Sequence, residues 1–267
     1  MPHDTSKVLM GAALYSGKDV SVFDSDPATF LAGLAVRQSS TVNQLSLTSG
    51  QWVGISLGKS LSNTKKTAVA RDGYKVPMLA SLKRSTGVIT ITSYANLLTT
   101  TPDSITVGAT VFAAQAGAAT PGTATFRAAT DNNTTATSLA TQINAHATAS
   151  TLVYAVASSA TVTLYAVVEG AATGHDVALA YTDNGGGNIG ATVSVANLAG
   201  GSNTITDIAY VVSGQKVYIN NTTGKADIAM TGFSTVSDAV YIETEKTGIN
   251  ESDVEVAAVV VDMQGGL

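Results

Sequence analysis

Between residues 86 and 206 the chain carries one basic residue, Arg127. This long stretch is built from Ala, Thr, Val, Gly and Asn, a composition suited to strands and tight turns. The sequence on either side is ordinarily charged. That contrast predicts a discontinuous domain, residues 1–85 plus 207–267, interrupted by an inserted module over 86–206. Over the whole chain only 12% of residues are charged, about half the usual share of a soluble protein.

The charge is also unevenly placed. Residues 1–84 hold ten Lys/Arg against five Asp/Glu, residues 85–205 one against five, and residues 206–267 three against nine. A basic first segment and an acidic last one suit two halves that fold against each other. The alternative is a set of unrelated solvated faces. With no cysteine in the chain, disulfides and thiolate metal sites are excluded. The first residues show no basic region followed by an apolar one, so no signal peptide is expected. No apolar run approaches the roughly 20 residues of a membrane-spanning helix. A soluble protein made in a cytoplasm is expected, with no membrane partner.

In the first flank, Val53, Ile55 and Leu57 alternate with small residues, the pattern of a half-buried strand. Asp72-Gly73 lies between residues 67–70 and 74–78 as a two-residue hairpin signal. Inside the low-charge stretch, residues 88–92 read as a strand by their β-branched content. Ile105, Val107, Val111 and Phe112 surround Gly108 as a strand pair or a bulged strand, and 123–128 is another strand. Asp131-Asn132-Asn133 offers a helix N-cap. Behind it, Ala136, Leu139, Ala140, Ile143 and Ala147 form the apolar stripe of one amphipathic helix. Residues 152–157 and 161–168 alternate around a turn at Ser158-Ser159. Residues 177–180 and 192–195 are strands flanking a turn over 183–188. In the last flank, residues 254–261 are nearly all apolar and read as a fully buried strand. The expected fold class is therefore mainly β with an α+β insertion: a barrel- or sandwich-like β domain interrupted by a small α+β module with one helix.

Signals for chemistry are weak. Gly54-Ile55-Ser56-Leu57-Gly58 matches the G-x-S-x-G pattern of a hydrolase elbow, but strand alternation runs through it and a polar loop follows it. His3, His146 and His175 have no metal-ligand spacing. Gly185-Gly186-Gly187, with Asp183 and Asn188, reads as a hairpin turn in preference to a weak Ca²⁺ loop. No catalytic residue, cofactor or metal is expected. The basic clusters Lys65-Lys66 and Lys83-Arg84 are too small, and too poor in aromatic neighbours, for nucleic acid. They read as a solvated face or as a contact for an acidic protein surface. Trp52, the single tryptophan, is either a core residue or an interface anchor.

Two sets of phrases resemble known families. In the flanks they are residues 50–58 (GQWVGISLG), 69–76 (VARDGYKV), 214–219 (GQKVYI), 223–226 (TGKA) and the ending 258–267 (AVVVDMQGGL). These are similar to the bacteriophage capsid decoration, or structural cement, proteins. In the middle they are residues 104–112 (SITVGATVF), 136–145 (ATSLATQINA), 161–166 (TVTLYA) and 197–201 (NLAGG). These resemble a domain that recurs in phage virion proteins, including tail proteins.

The resemblance implies a non-enzymatic virion protein that binds the outside of a phage capsid and stabilises it. Its partners would be the major capsid protein and further copies of itself on the lattice. Trp52, Lys65, Lys66, Arg71, Lys83 and Arg84 would be the capsid contacts, and the middle module would project outward. One alternative is a tail tube or sheath subunit. Another is a carbohydrate- or host-cell-binding module displayed on the virion. That reading needs clustered aromatics, whereas those of the module, Tyr94, Phe112, Phe126, Tyr154, Tyr165 and Tyr181, fall mostly at core-like strand positions.

Overall fold

The strand just before the low-charge stretch, Lys75–Leu79, pairs antiparallel with the strand near the end of the chain, Glu255–Met263, placing Leu79 opposite Ala258 and Val76 opposite Val261. Both segments are rich in β-branched and apolar residues, so each fits a pleated, buried surface. Pro77 lacks an N–H and cannot donate to a ladder. It sits opposite Val260, in a strand with no other named partner among the described residues, the edge position where proline is tolerated. The two flanks thus share a sheet across the insertion.

The computed structural model describes residues 8–9, 20–24, 35–38, 45–46, 51–56, 66–70, 75–171, 176–205, 208, 216–220, 223–227, 234–243, 247–249 and 255–263. The first flank holds strands β1 (Val8–Leu9), β2 (Val20–Asp24), β3 (Ala35–Gln38), β4 (Leu45–Ser46), β5 (Gln51–Ser56), β6 (Lys66–Ala70) and β7 (Lys75–Leu79). Next come β8 (Thr86–Ile91), β9 (Ser104–Val107), β10 (Thr110–Gln115), β11 (Thr125–Arg127), helices α1 (Asn132–Ala145) and α2 (Ala149–Leu152), and then β12 (Val153–Ser158), β13 (Thr161–Ala166), β14 (Leu179–Thr182) and β15 (Ala191–Val193). The last flank holds β16 (Lys216–Ile219), β17 (Ala226–Asp227), β18 (Ser234–Glu243), β19 (Thr247–Ile249) and β20 (Glu255–Met263). The fold is mainly β with a small helical insertion.

The chain divides into two units, Met1–Leu82 with Thr204–Leu267, and Lys83–Asn203. The first contains a sheet ordered β1-β19-β20-β18-β16-β17, with β7 on β20, and a second ordered β2-β6-β5-β3-β4. An isolated bridge joins Ala80 to Ala226, but no closed barrel forms among the described residues. Within that limit, the barrel half of the sequence expectation is corrected to open sheets. Of the strand expected to be fully buried, Ala257, Ala258 and Val259 are buried.

The second unit, the module, has two four-stranded sheets, β11-β10-β9-β14 and β12-β13-β8-β15. The pair of strands expected around Gly108 is a hairpin, with Val107 opposite Thr110 and Gly108 at φ +60° in its turn, where a Cβ would be strained. A single core takes Ile89, Val162 and Leu164 from one sheet, Ile105, Phe112 and Phe126 from the other, and Leu139 and Ile143 from α1. Burying each of these large side chains stabilises the fold by roughly 1.5–3 kcal/mol.

Helix α1 starts as its sequence dictates. Asp131 is extended, and its carboxylate accepts the Thr134 N–H at 2.7 Å, satisfying an amide that has no partner inside the helix. This hydrogen bond holds the Asp131 pKa below the usual aspartate value. The apolar stripe buries Ala136, Leu139, Ala140 and Ile143 but not Ala147, which is exposed. The helix has ended by then, because His146 leaves the helical conformation at ψ 127°. The His146 imidazole Nδ1 accepts from Thr148 and Ala149, both at 3.3 Å. A second short helix, α2, starts there, where the sequence predicts only one.

The other correction concerns residues 183–188. They do not close a tight hairpin: β14 pairs with β9 in one sheet and β15 with β8 in the other, and the two arms of the loop meet farther out, at the antiparallel bridge of Ala178 with Asn197. The loop carries the chain from one sheet to the next.

Candidate interaction surface

The base of the module is stitched shut by backbone hydrogen bonds. The Ser202 N–H donates to the Lys83 carbonyl at 3.1 Å, and Thr86 and Ala199 exchange two bonds of 2.8 and 3.0 Å. The chain therefore enters and leaves through one paired neck. Lys83 lies there with its side chain exposed.

Arg84 is different. It is 4% exposed, and its Nη1 donates to the carbonyls of Ala166, at 3.0 Å, and Val167. A guanidinium stays charged in a protein, so when buried it must be met by acceptors. Here the end of β13 supplies them. Arg84, expected at a partner surface, is thus buried with its guanidinium bonded to these two carbonyls. Trp52 and Lys66 lie in β5 and β6, and their side chains are outside what the structure describes, as are Lys65 and Arg71 altogether. Ser56 of the G-x-S-x-G match ends β5 in antiparallel pairing with Val69 of β6, and residues 57–65 after it lie outside the described residues. His3 and His175 fall outside the described residues. His146 sits edge-on to Phe112, with ring centroids 5.4 Å apart.

The opposite end of β8 carries the glycine-rich loop. The Thr92 N–H and Ser93 N–H both donate to the Gly190 carbonyl, at 2.9 and 3.1 Å. Asp183 folds the loop back on itself, accepting from Gly186 at 2.7 Å and Gly187 at 3.0 Å. Its carboxylate is thus engaged by backbone amides. Among the described residues no group of three His, Cys, Asp or Glu side chains is placed to hold a metal ion.

Beneath the loop, Asp103 is fully buried. It accepts from the Tyr181 hydroxyl at 2.5 Å and the Asn184 N–H at 3.0 Å. The Tyr181 oxygen in turn accepts from Gly190 at 2.9 Å. Desolvation, reinforced by the bond to Asp103, pushes the Tyr181 pKa up to about 12. This chain of hydrogen bonds ties the loop to the segment before β9.

The outward face of the sheet β12-β13-β8-β15 is the third feature. Burial alternates along β8, β12 and β13, as period two requires. The residues turned away from the core fall into rows across the strands. One row is Tyr154, Tyr165 and Thr86, and the next is Val156, Thr163 and Val88. The last is Ser158, Thr161, Thr90 and Thr192. No side chain in these rows is charged. Desolvation raises the pKa of the half-buried Tyr165. At the ends of the face, Ser158 and Thr192 are exposed.

The chain matches no protein-family model, no curated protein and no solved structure.

Sequence reading misplaced the two tyrosines. Alternation gave each strand two faces without saying which one a helix would cover. The available signal was parity: Tyr154 shares a side with Val156 and Ser158, and Tyr165 with Thr163 and Thr161. The more polar side of each strand is the outer one.

Proposed function

We propose that the chain is a non-enzymatic structural protein of a phage virion that binds the outer surface of an assembled capsid and stabilises it. The observation that supports this reading best is the pairing of β7 with β20. It makes one β unit out of both flanks, the same segments whose phrases resemble capsid decoration proteins. Such a unit can act as a seat while the module, closed at its own neck, does something else. Many copies on a symmetric lattice add weak identical contacts by avidity, so each interface can be modest. The basic first segment, with Lys65, Lys66, Arg71 and Trp52, is the face we assign to the shell, by complementarity to an acidic capsid surface. Lys83 belongs to the same proposal, and Arg84 no longer does.

The test is immunogold labelling of intact virions with an antibody raised against residues 83–203. Gold over the whole head surface is the expected result. Label along the tail would transfer the assignment to a tail tube or sheath subunit. Label only after the particles are disrupted would point to an interior role.

A further inference from the structure

We propose that the outward face of the sheet β12-β13-β8-β15 is a binding platform for a neutral polysaccharide. This does not rest on the capsid assignment: the platform lies wholly within the module and would serve wherever the module is displayed.

The argument begins with charge. Nucleic acids and anionic lipid surfaces are drawn by complementary charge, and these rows offer none. Protein-binding patches draw on Trp, Phe, Met and Arg as well as Tyr at their centres, and of these the rows contain only tyrosine. What they contain is a directly opposed tyrosine pair, Tyr154 on β12 and Tyr165 on β13, bordered by threonine hydroxyls. A sugar ring has a C–H face and a rim of hydroxyls. It can lay the first on an aromatic ring and exchange hydrogen bonds through the second.

The hydroxyls are available for that role. Those of Thr86, Thr90, Thr163 and Thr192 donate to no other described residue, in contrast to Thr161, which bonds the Ser158 carbonyl at 2.7 Å. Neighbouring strands stand about 4.8 Å apart, close to the length of one sugar unit, so the groups within a row suit an extended glycan lying across the strands. The opposite side of this sheet is filled by the core that includes Leu139 and Ile143 of α1, which holds the rows rigid.

The test uses the full chain in native gels cast with dextran, galactomannan or hydroxyethylcellulose, with alginate as the charged comparison. At least one neutral polymer should retard the protein, and alginate should not. Tyr165→Ala and Thr163→Lys should each weaken that retardation by at least about fivefold. Thr137→Ala, on the exposed side of α1, should leave it unchanged. Circular dichroism on each variant separates lost binding from lost fold, and Thr163→Lys decides the matter if Tyr165→Ala does not fold. No retardation by any of the three neutral polymers overturns the proposal. So does equal retardation by alginate, or retardation that survives both folded variants.

Discussion

Tyr181 and Asp103 are 78 residues apart in sequence, and their side chains meet in a 2.5 Å hydrogen bond. The same tyrosine oxygen holds Gly190. One phenol therefore ties β14, the segment before β9 and the far end of the glycine-rich loop. Replacing Tyr181 with Phe keeps the ring and removes both bonds, leaving a buried carboxyl short of a donor. We expect a loss of about 1–3 kcal/mol, measured by urea unfolding. Amide exchange at Gly190 should rise with it.

The same residue predicts an alkaline limb in stability. The folded pKa of Tyr181, about 12, lies above the ordinary tyrosine value near 10. Between those values the unfolded chain releases a proton that the native state retains, so stability falls as pH rises. Its contribution is intact below about pH 10 and lost on the way to 12. Urea midpoints at pH 9 and pH 11 should differ more in the native protein than in Tyr181→Phe. Equal differences would mean that other groups carry the effect.

Asp131 acts with the opposite sign. Its folded pKa is lowered, so its contribution is present above the ordinary aspartate value of 3.8 and fades as pH falls through the folded value. Asp131→Ala should lower Tm at neutral pH. Asp131→Asn keeps an acceptor for the Thr134 N–H and should lose less, with a shallower decline on acidification.

Gly190 and Gly117 make a matched pair. A Cβ at Gly190 would meet the Leu97 side chain at 2.7 Å and its backbone nitrogen at 2.9 Å, whereas nothing lies within 4 Å at Gly117. Gly190→Ala should cost about 1–3 kcal/mol through overpacking. Gly117→Ala should be neutral or slightly stabilising, because it narrows only the unfolded ensemble. Thermal melts of the two variants, compared with the native chain, check both.

The module has its own core and a bonded neck, so residues 83–203 expressed alone should unfold in a single cooperative transition. Dispersed amide resonances in a two-dimensional NMR spectrum would agree. A molten spectrum would mean that the flanking unit is needed to order it.

What the sequence made legible follows from the range of the interactions. The α1 stripe and its Asp131 cap are local, repeat every three or four residues, and could be read directly. The end of that helix could not, because the turn at His146 depends on a ring packed edge-on to Phe112, far earlier in the chain. The glycine loop advertised a turn, and it is one. Which sheets it joins is decided by strand partners that no turn residue encodes. Arg84 looked like a surface cation because its acceptors, the carbonyls of Ala166 and Val167, lie 82 and 83 positions away. The Asp103–Tyr181 pair was invisible for the same reason. The contact residues Trp52, Lys65, Lys66 and Arg71 rest on sequence alone.

The bonded neck has a consequence for how such a chain could arise. To the sheet that contains Leu79 and Ala258, the guest begins and ends at nearly the same point, so its length hardly enters the entropy of closing the host. The junction behaves as an ordinary surface turn that happens to carry cargo. A host of this kind could exchange one guest for another, or lose it altogether, without redesigning its own strands.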